Sequence, residues 1–255
     1  MSKYAAYFID LDGTIYAGME SFPAAQTFVA NLKASDSDHL FVTNNSTKTP
    51  EEVAAFLTEQ HNIPTSPEEV YTSAMATADY VASRGFERVL MIGEHGLKIA
   101  LENKGLTIVT EGPADAVVVG LDRDINYAKL AEATLAIQAG AAFIATNGDT
   151  NLPNERGLLP GAGTIVAAVK TATQTEPTIV GKPETIIMQE ALKRTGLTAD
   201  QVVMVGDNYQ TDILAGINSG MDTLLVYSGV STPEQVAQKD VQPTHVVNAL
   251  DEWTF

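Results

Sequence analysis

Two carboxylates separated by a single residue lie directly after an apolar segment near the start of the chain. The segment is Tyr4–Ile9, the carboxylates are Asp10 and Asp12, and Gly13 and Thr14 follow. If the segment is a buried strand, both carboxylates lie at its carboxyl end, where ligands bind in open α/β sheets. Carboxylates this close repel each other unless a cation neutralises them. The pattern predicts a divalent cation beside a nucleophile; an ordinary loop with two solvated acids is the simpler alternative.

Polar side chains also follow later apolar segments. Thr43 is the last residue of the predicted strand His39–Thr43 and Asn44 follows it, so that a hydroxyl and an amide can donate hydrogen bonds to phosphate oxygens. Lys182 stands before Pro183 at a predicted helix start, where an ammonium group can balance a phosphoryl group and the aspartates. Taken singly, the first pattern favours a capped turn and the second is more typical of a solvated lysine.

The fourth polar group lies in the last third of the chain. Asp207 follows the predicted strand Val202–Val205, Asn208 comes next, and Asp212 falls in the first turn of the following helix. For Asp212 two interpretations stay open, support of the metal-binding residues or compensation of the helix dipole. Oxygen ligands of this kind suit Mg²⁺ together with a substrate phosphate. One aspartate can then attack phosphorus while its neighbour transfers the proton.

Composition limits the function classes. The 255 residues include 15 Lys+Arg and 32 Asp+Glu, so the formal net charge is −17. Such a field repels nucleic acid and anionic membranes, whereas a small phosphorylated substrate can bind where local cations offset it. There is no cysteine, no signal-peptide pattern and no apolar segment long enough to cross a bilayer. We therefore expect a cytoplasmic protein without nucleic-acid or membrane partners.

Strand-like and helix-like segments alternate along the chain, which is typical of a doubly wound parallel sheet. Helices are predicted over Pro23–Leu32, Pro50–Gln60, Ala74–Ser83, Tyr127–Gln138, Ala162–Ala172, Glu184–Arg194 and Thr211–Ser219. Further strands are predicted over Arg88–Ile92, Ala116–Val119, Ala142–Ala145, Thr178–Val180 and Thr223–Tyr227. The polar motifs fall near the two ends of the chain. We therefore expect a core formed by residues 1–73 and 177–255 and an inserted domain over residues 74–176.

The four motifs in this order resemble those of the haloacid dehalogenase-like phosphohydrolases. The insertion after the second motif and the segment 157–163 resemble the NagD / p-nitrophenyl phosphatase branch, which has an α/β cap of type IIA. This resemblance implies that Asp10 is the nucleophile and Asp12 the acid/base. It also implies the ligand sets, with Mg²⁺ bound by Asp10, the backbone carbonyl of Asp12, and Asp207. The phosphoryl group would be bound by Thr43, Asn44 and Lys182.

The expected activity is Mg²⁺-dependent hydrolysis of phosphomonoesters through an aspartyl-phosphate intermediate. Sugar phosphates, nucleoside monophosphates and p-nitrophenyl phosphate are the expected substrates. Two alternatives stay open, a phosphotransferase or mutase and a non-catalytic phosphoacceptor protein. In the family the cap supplies substrate selectivity, and Asn147 and Asp149 in a polar loop are the candidate residues. A homodimer through the cap is plausible from the family, although no apolar stripe in the sequence requires it.

Overall fold

The computed structural model describes residues 3–154 and 156–255, which divide into two compact units. Unit 1 comprises Met1–Thr43, Pro50–Tyr71 and Lys182–Phe255, and unit 2 comprises Asn44–Thr49 and Thr72–Gly181. The chain thus enters unit 2 twice and leaves it twice. This division reflects which segments contact one another rather than their order along the sequence.

The strands, numbered in chain order, are β1 (Ala6–Ile9), β2 (Tyr16–Ala17), β3 (Glu20–Ser21), β4 (Asp38–Thr43), β5 (Val70–Thr72), β6 (Arg88–Ile92), β7 (Thr107–Val109), β8 (Ala116–Val119), β9 (Ala142–Ala145), β10 (Asn151–Asn154), β11 (Gly157–Pro160), β12 (Thr178–Ile179), β13 (Val202–Gly206), β14 (Asp222–Val226) and β15 (His245–Val247). The α-helices are α1 (Pro23–Lys33), α2 (Pro50–His61), α3 (Ser73–Ser83), α4 (His95–Asn103), α5 (Tyr127–Gln138), α6 (Ala162–Thr173), α7 (Thr185–Thr195), α8 (Leu214–Asn218) and α9 (Pro233–Val236).

Unit 1 is built on a six-stranded sheet in the order β15-β14-β13-β1-β4-β5. Strands β15, β14, β13, β1 and β4 run parallel. Every residue of β1 and β13 is buried, as expected for apolar strands with both faces covered. The strand order reverses between β1 and β13, because β4 follows β1 on one side and β14 follows β13 on the other. The crevice for a ligand in such a sheet lies at the carboxyl ends of these two strands.

The core of unit 1 packs aromatic side chains from distant parts of the chain. Tyr7 of β1 meets Phe28 of α1 edge to face, with ring centroids 6.0 Å apart, and Phe255 packs beside both. The Trp253 indole N–H donates to the Tyr7 hydroxyl at 3.1 Å. The C-terminal segment is therefore packed onto the core. Pro at the first position of α1 suits a helix start, because its missing N–H has no partner there in any helix.

Unit 2 contains a five-stranded parallel sheet in the order β12-β9-β8-β6-β7 and the antiparallel hairpin β10–β11. Its strands are rich in Val, Ile and Ala, and its core also includes residues of α5 and α6. The Asn126 side chain caps α5, accepting a hydrogen bond from the Lys129 N–H at 3.1 Å. Unit 2 is thus an α/β domain with its own core.

The structure differs from the sequence prediction in several places. The strand β12 was expected in the core, but it pairs with β9 in the sheet of unit 2. Residues 44–49, also expected in the core, belong to unit 2. The helix predicted to begin at residue 211 begins with a wider π-helical turn over Tyr209–Ile213, where Asn208 is the N-cap. Helix α4 and the hairpin β10–β11 were not predicted.

Among the residues that the structure describes, no helix combines the length and the apolar character needed to span a membrane.

Candidate active site

Two aspartates lie at the carboxyl ends of the central strands of unit 1. Asp10 follows β1 and Asp207 follows β13, and these strands are in register, with Ile9 opposite Val205. The Asp10 N–H donates to the Val205 carbonyl at 2.9 Å, which continues the sheet pairing to the edge of the crevice. The two carboxylates therefore meet at the point where the strand order reverses.

Asp212 joins them, so three carboxylates form one cluster. One ligand oxygen from each of Asp10, Asp207 and Asp212 lies within 4.8 Å of the others. Asp207 and Asp212 are 0% and 1% exposed, and the Asp10 side chain is 13% exposed. The close approach of Asp212 depends on Gly206, because a Cβ there would lie 2.3 Å from the Asp212 Cβ. This position favours the interpretation in which Asp212 supports the metal-binding residues, which stays a prediction.

Lys182 provides a positive charge to this cluster. Its Nζ lies 2.5 Å from Asp10 Oδ1 and 2.8 Å from Asp212 Oδ1, and it donates to the Val42 carbonyl at 2.9 Å. The side chain is 2% exposed. A buried ammonium group with three oxygen partners is fixed in place, so the interpretation as a solvated lysine does not hold.

The charges shift one another's pKa values. Burial raises the pKa of Asp10 well above its ordinary value, and the charge of Asp212 adds to this effect. Burial and Asp212 likewise raise the pKa of Asp207 to about 6. Burial alone would lower the pKa of Lys182, but the charges of Asp10 and Asp212 outweigh it and raise the pKa. The cluster therefore carries an excess of negative charge that one lysine does not balance.

The position of Asp207 is fixed from three sides. Its Oδ1 accepts a hydrogen bond from Thr14 Oγ1 at 2.9 Å, and its Oδ2 accepts one from the Val230 N–H at 2.7 Å. Glycines flank the carboxylate, since a Cβ at Gly13 would lie 2.6 Å from it and a Cβ at Gly229 only 2.0 Å from it. Gly13 also has a φ of +96°, which favours glycine. Thr14, Gly13 and Gly229 therefore hold Asp207 tightly.

Asp12 lies apart from the buried carboxylates. Its side chain is exposed, and its Oδ1 accepts a long hydrogen bond from the Gly18 N–H at 3.4 Å. Its backbone pairs with Tyr16, which starts the small hairpin β2–β3. Burial, followed by the charges of Asp12 and Asp10, raises the pKa of Tyr16. An exposed carboxylate beside the cluster can reach a reacting group without belonging to the set of buried ligand oxygens.

Thr43 and Asn208 lie at the same edge of the sheet. Thr43 is the last residue of β4, is buried, and follows Val42, whose carbonyl accepts from Lys182. The Asn208 N–H donates to Asp212 Oδ2 at 3.1 Å, and its side chain accepts from the Gln210 N–H at 2.9 Å. Asn208 thus orients Asp212 and caps the helical turn that carries it.

The remaining predicted site residues meet within unit 2. Asn44 Nδ2 donates to the Asp149 carboxylate at 3.1 Å, and Asn147 Nδ2 donates to the Asn44 carbonyl at 2.9 Å. Asn147 is 4% exposed, whereas Asp149 is partly exposed. Residues separated by about a hundred positions are therefore adjacent here, a pairing that sequence spacing does not indicate.

The donor set of the cluster fits a divalent cation. Three buried carboxylates face one ammonium group, which leaves an excess of negative charge, and burial together with the charge of Asp212 raises the pKa values of Asp10 and Asp207. A hard cation with oxygen ligands would remove the excess. Sequence reasoning did not find the Val230 N–H or Gly229, because a loop glycine and a backbone donor carry no recognisable pattern.

This fold and site define an α/β protein with a buried aspartate cluster at the point where the strand order of its sheet reverses. A family model described as haloacid dehalogenase-like hydrolase matches residues 7–107, and a second one, for HAD hydrolase-like proteins, matches residues 179–253. The chain is 50% identical over 253 residues to the acid sugar phosphatase of Staphylococcus aureus, covering 99% of this chain and 97% of the relative. It is 48% identical over 254 residues to the 5'-nucleotidase YutF of Bacillus subtilis, covering 99% and 98%.

Solved structures agree with these similarities. The crystal structure of a double mutant of thermostable NPPase from Geobacillus stearothermophilus matches with a TM-score of 0.93 and 49% identity, covering 100% of this chain and 99% of that one. A p-nitrophenyl phosphatase from Archaeoglobus fulgidus matches with a TM-score of 0.90 and 34% identity, covering 98% of each. The chain belongs to the haloacid dehalogenase-like hydrolases, in their NagD-like branch. It is a hydrolase that acts on phosphoric monoesters, as the sequence motifs predicted.

Proposed function

We propose that the protein is a Mg²⁺-dependent phosphatase of small phosphorylated metabolites and that it acts through an aspartyl-phosphate intermediate on Asp10. The observation that carries the proposal is the buried cluster of Asp10, Asp207 and Asp212 around Lys182 at the switch point of the sheet. A binding protein has no need for a buried carboxylate cluster in which the pKa values of Asp10 and Asp207 are raised, since perturbed groups of this kind are typical of catalytic sites.

Asp10 is the nucleophile in this proposal. Its carboxylate attacks phosphorus and displaces the leaving alcohol, so that hydrolysis is divided into two easier displacements. Asp12 protonates the leaving oxygen and then accepts a proton from the water that attacks the acyl phosphate. The exposure of the Asp12 side chain supports this role, because the group must reach both the leaving oxygen and the water.

Asp10, the backbone carbonyl of Asp12, and Asp207 would hold Mg²⁺, with Asp212 and Asn208 in support. When bound, the cation supplies positive charge that stabilises the negative charge developing on the transferred phosphoryl group. Lys182 and Thr43 bind the phosphoryl oxygens, and Asn44 adds an amide donor. The ion pairs of Lys182 with Asp10 and Asp212 hold its ammonium group at the cluster.

Sugar phosphates and nucleoside monophosphates are the proposed substrates. The relatives named acid sugar phosphatase and 5'-nucleotidase support both classes, and the large negative net charge favours small substrates over phosphorylated polymers. Unit 2 supplies the selectivity for the leaving group, with Asp149 as the candidate contact. It corresponds to the inserted domain that has this role in the family.

The test combines hydrolysis of p-nitrophenyl phosphate with trapping of the intermediate. The wild type should release phosphate in the presence of Mg²⁺ and should release none in the presence of EDTA. The Asp10→Asn variant should release no phosphate under either condition. After an acid quench, mass spectrometry should find a phosphorylated peptide containing Asp10. The adduct should accumulate in Asp12→Asn, because that variant lacks the base for the second displacement.

Four outcomes would contradict the proposal. Full activity in EDTA would exclude the proposed dependence on a metal, and turnover by Asp10→Asn would exclude Asp10 as the nucleophile. A phosphorylated wild type without release of phosphate would favour the phosphoacceptor alternative, and transfer to an added alcohol would favour the phosphotransferase. Lys193→Ala is a matched surface control, since this lysine pairs with Glu190 away from the site.

A further inference from the structure

The hydrogen bonds of the Asn147 side chain are all made within unit 2. Its Nδ2 donates to the Asn44 carbonyl at 2.9 Å and to Thr146 Oγ1 at 3.3 Å, and its Oδ1 accepts from the Asp149 N–H at 3.1 Å. A side-chain amide has two N–H donors, so both donors of Asn147 have partners. The residue is also 4% exposed. Little of this side chain is left to contact a substrate.

Asn44 receives several of these contacts. Its carbonyl accepts a second hydrogen bond, from Ser73 Oγ at 2.6 Å, and its Nδ2 donates to the Asp149 carboxylate. Both the backbone and the side chain of Asn44 are therefore fixed by residues of unit 2. Asn44 is the residue at which the chain enters that unit directly after Thr43.

Gly181 packs closely against Asn44 and Thr146. A Cβ at Gly181 would lie 2.7 Å from Asn44 Oδ1 and 2.6 Å from the Thr146 carbonyl, and the Gly181 N–H donates to that carbonyl at 2.9 Å. Gly181 is where the chain leaves unit 2, directly before Lys182. Asn44 and Gly181, which lie at two of the connections to unit 1, are therefore held by the loop that contains Thr146 and Asn147.

We infer that Asn147 is a positioning residue for Asn44, and that it does not contact the leaving group of the substrate. The inference rests on the proposed function, in which Asn44 donates to the transferred phosphoryl group. It changes the role that the sequence suggested for Asn147 and leaves Asp149 as the selectivity candidate. Every substrate carries the same phosphoryl group, so the loss of the Asn147 side chain should lower kcat/KM by the same factor for every substrate.

The first experiment measures Asn147→Ala on a series of leaving groups. We expect kcat/KM to fall about three- to tenfold, the effect of one hydrogen bond, and by the same factor for p-nitrophenyl phosphate, a sugar phosphate and a nucleoside monophosphate. Inhibition by inorganic phosphate should weaken by a similar factor. Asn126→Ala is the matched control, because Asn126 caps α5 in the same unit without contacting Asn44 in the structure.

The second experiment is a double-mutant cycle with Asn44→Ala. If Asn147 acts through Asn44, then Asn147→Ala should have little further effect on phosphate inhibition in the Asn44→Ala background. Ser73→Ala removes the other hydrogen bond to the same carbonyl and should change phosphate inhibition in the same direction. It keeps the inference testable if Asn147→Ala does not fold, which circular dichroism will show.

Three results would overturn the inference. One is a change in kcat/KM for a single leaving group, another is fully additive effects in the cycle, and the third is wild-type kinetics for both Asn147→Ala and Ser73→Ala. Asp10→Asn separates these failures from a failure of the proposed function. If Asp10→Asn still turns over, the proposed mechanism fails; if it is inactive and the cycle is additive, only the positioning role fails.

Discussion

Replacing Gly229 by alanine should weaken binding of the metal without altering any reacting group. In unit 1 a Cβ on Gly229 would lie 2.0 Å from Asp207 Oδ2 and 3.0 Å from the Gly13 Cα. Real Cβ atoms keep at least 3.0 Å from such neighbours, so the carboxylate oxygen must move by about 1 Å. Mg²⁺ requires oxygen ligands at about 2.0–2.1 Å in near-octahedral geometry, and a displacement of this size does not preserve the bond.

The expected loss is about 10- to 100-fold in Mg²⁺ affinity, the effect of disturbing groups that orient metal ligands. This corresponds to about 1.4–2.8 kcal/mol, at about 1.4 kcal/mol for each factor of ten. Two assays measure it independently, the Mg²⁺ concentration for half-maximal hydrolysis and the Mg²⁺ concentration that raises the unfolding temperature by half of its full shift. Both should increase by the same factor.

Val230→Ala is the matched control in the same loop. The Val230 side chain is 62% exposed, and its link to Asp207 is the backbone N–H, which alanine retains. This variant should keep the wild-type Mg²⁺ dependence. If Gly229→Ala also keeps it in both assays, then Asp207 is not a metal ligand held against this loop, and the reasoning is refuted.

Three further predictions concern other parts of the chain. His61 is buried, stacks on Tyr16 and has no partner for its Nε2 among the described residues, and burial lowers its pKa below 6.5. The contribution of the neutral His61 to the unfolding free energy is therefore complete above pH 6.5 and is lost as the pH falls through the lowered pKa. His61→Gln should make the unfolding free energy depend less on pH in this range. His95→Gln, at an exposed position, should leave the pH dependence unchanged. Gly96→Ala should expose residues 44–49 to limited proteolysis, because its Cβ would lie 2.5 Å from the Lys48 carbonyl oxygen. Lys182→Met should lower the unfolding free energy in EDTA by about 3–5 kcal/mol, because the buried aspartates lose their ammonium partner, and added Mg²⁺ should restore part of it.

Each of these predictions has a result that contradicts it. Equal pH profiles for the two histidine variants would mean that His61 is not buried in its neutral form. An unchanged proteolysis rate in Gly96→Ala would mean that the segment 44–49 is not held against α4. Wild-type stability of Lys182→Met in EDTA would mean that the aspartates are already neutralised by protons.

Much of the fold could be predicted because local patterns were consistent with the tertiary structure. The strands β6, β8 and β9 and helix α5 have the predicted bounds, since their apolar periodicity and end signals agree with their burial. Helix α4 was missed because its sequence lacks a clear start signal, and its Glu94 N-cap makes no side-chain cap. The hairpin β10–β11 was missed because its strands are polar or exposed.

The sequence by itself identified the family, and it predicted Asp10, Asp12, Asp207, Lys182 and Thr43 as site residues from their order after apolar segments. Parallel strands place Asp10, Thr43 and Asp207 at one edge of the six-stranded sheet, so the proximity of these three residues follows from the order of the strands. Only the tertiary structure decided which side chains meet. Thr14 bonds to Asp207 across 193 positions, and Asp212 joins the carboxylate cluster. The physical reason is that side-chain direction and close approach depend on packing between distant segments, such as Gly206 against Asp212, which local spacing does not encode.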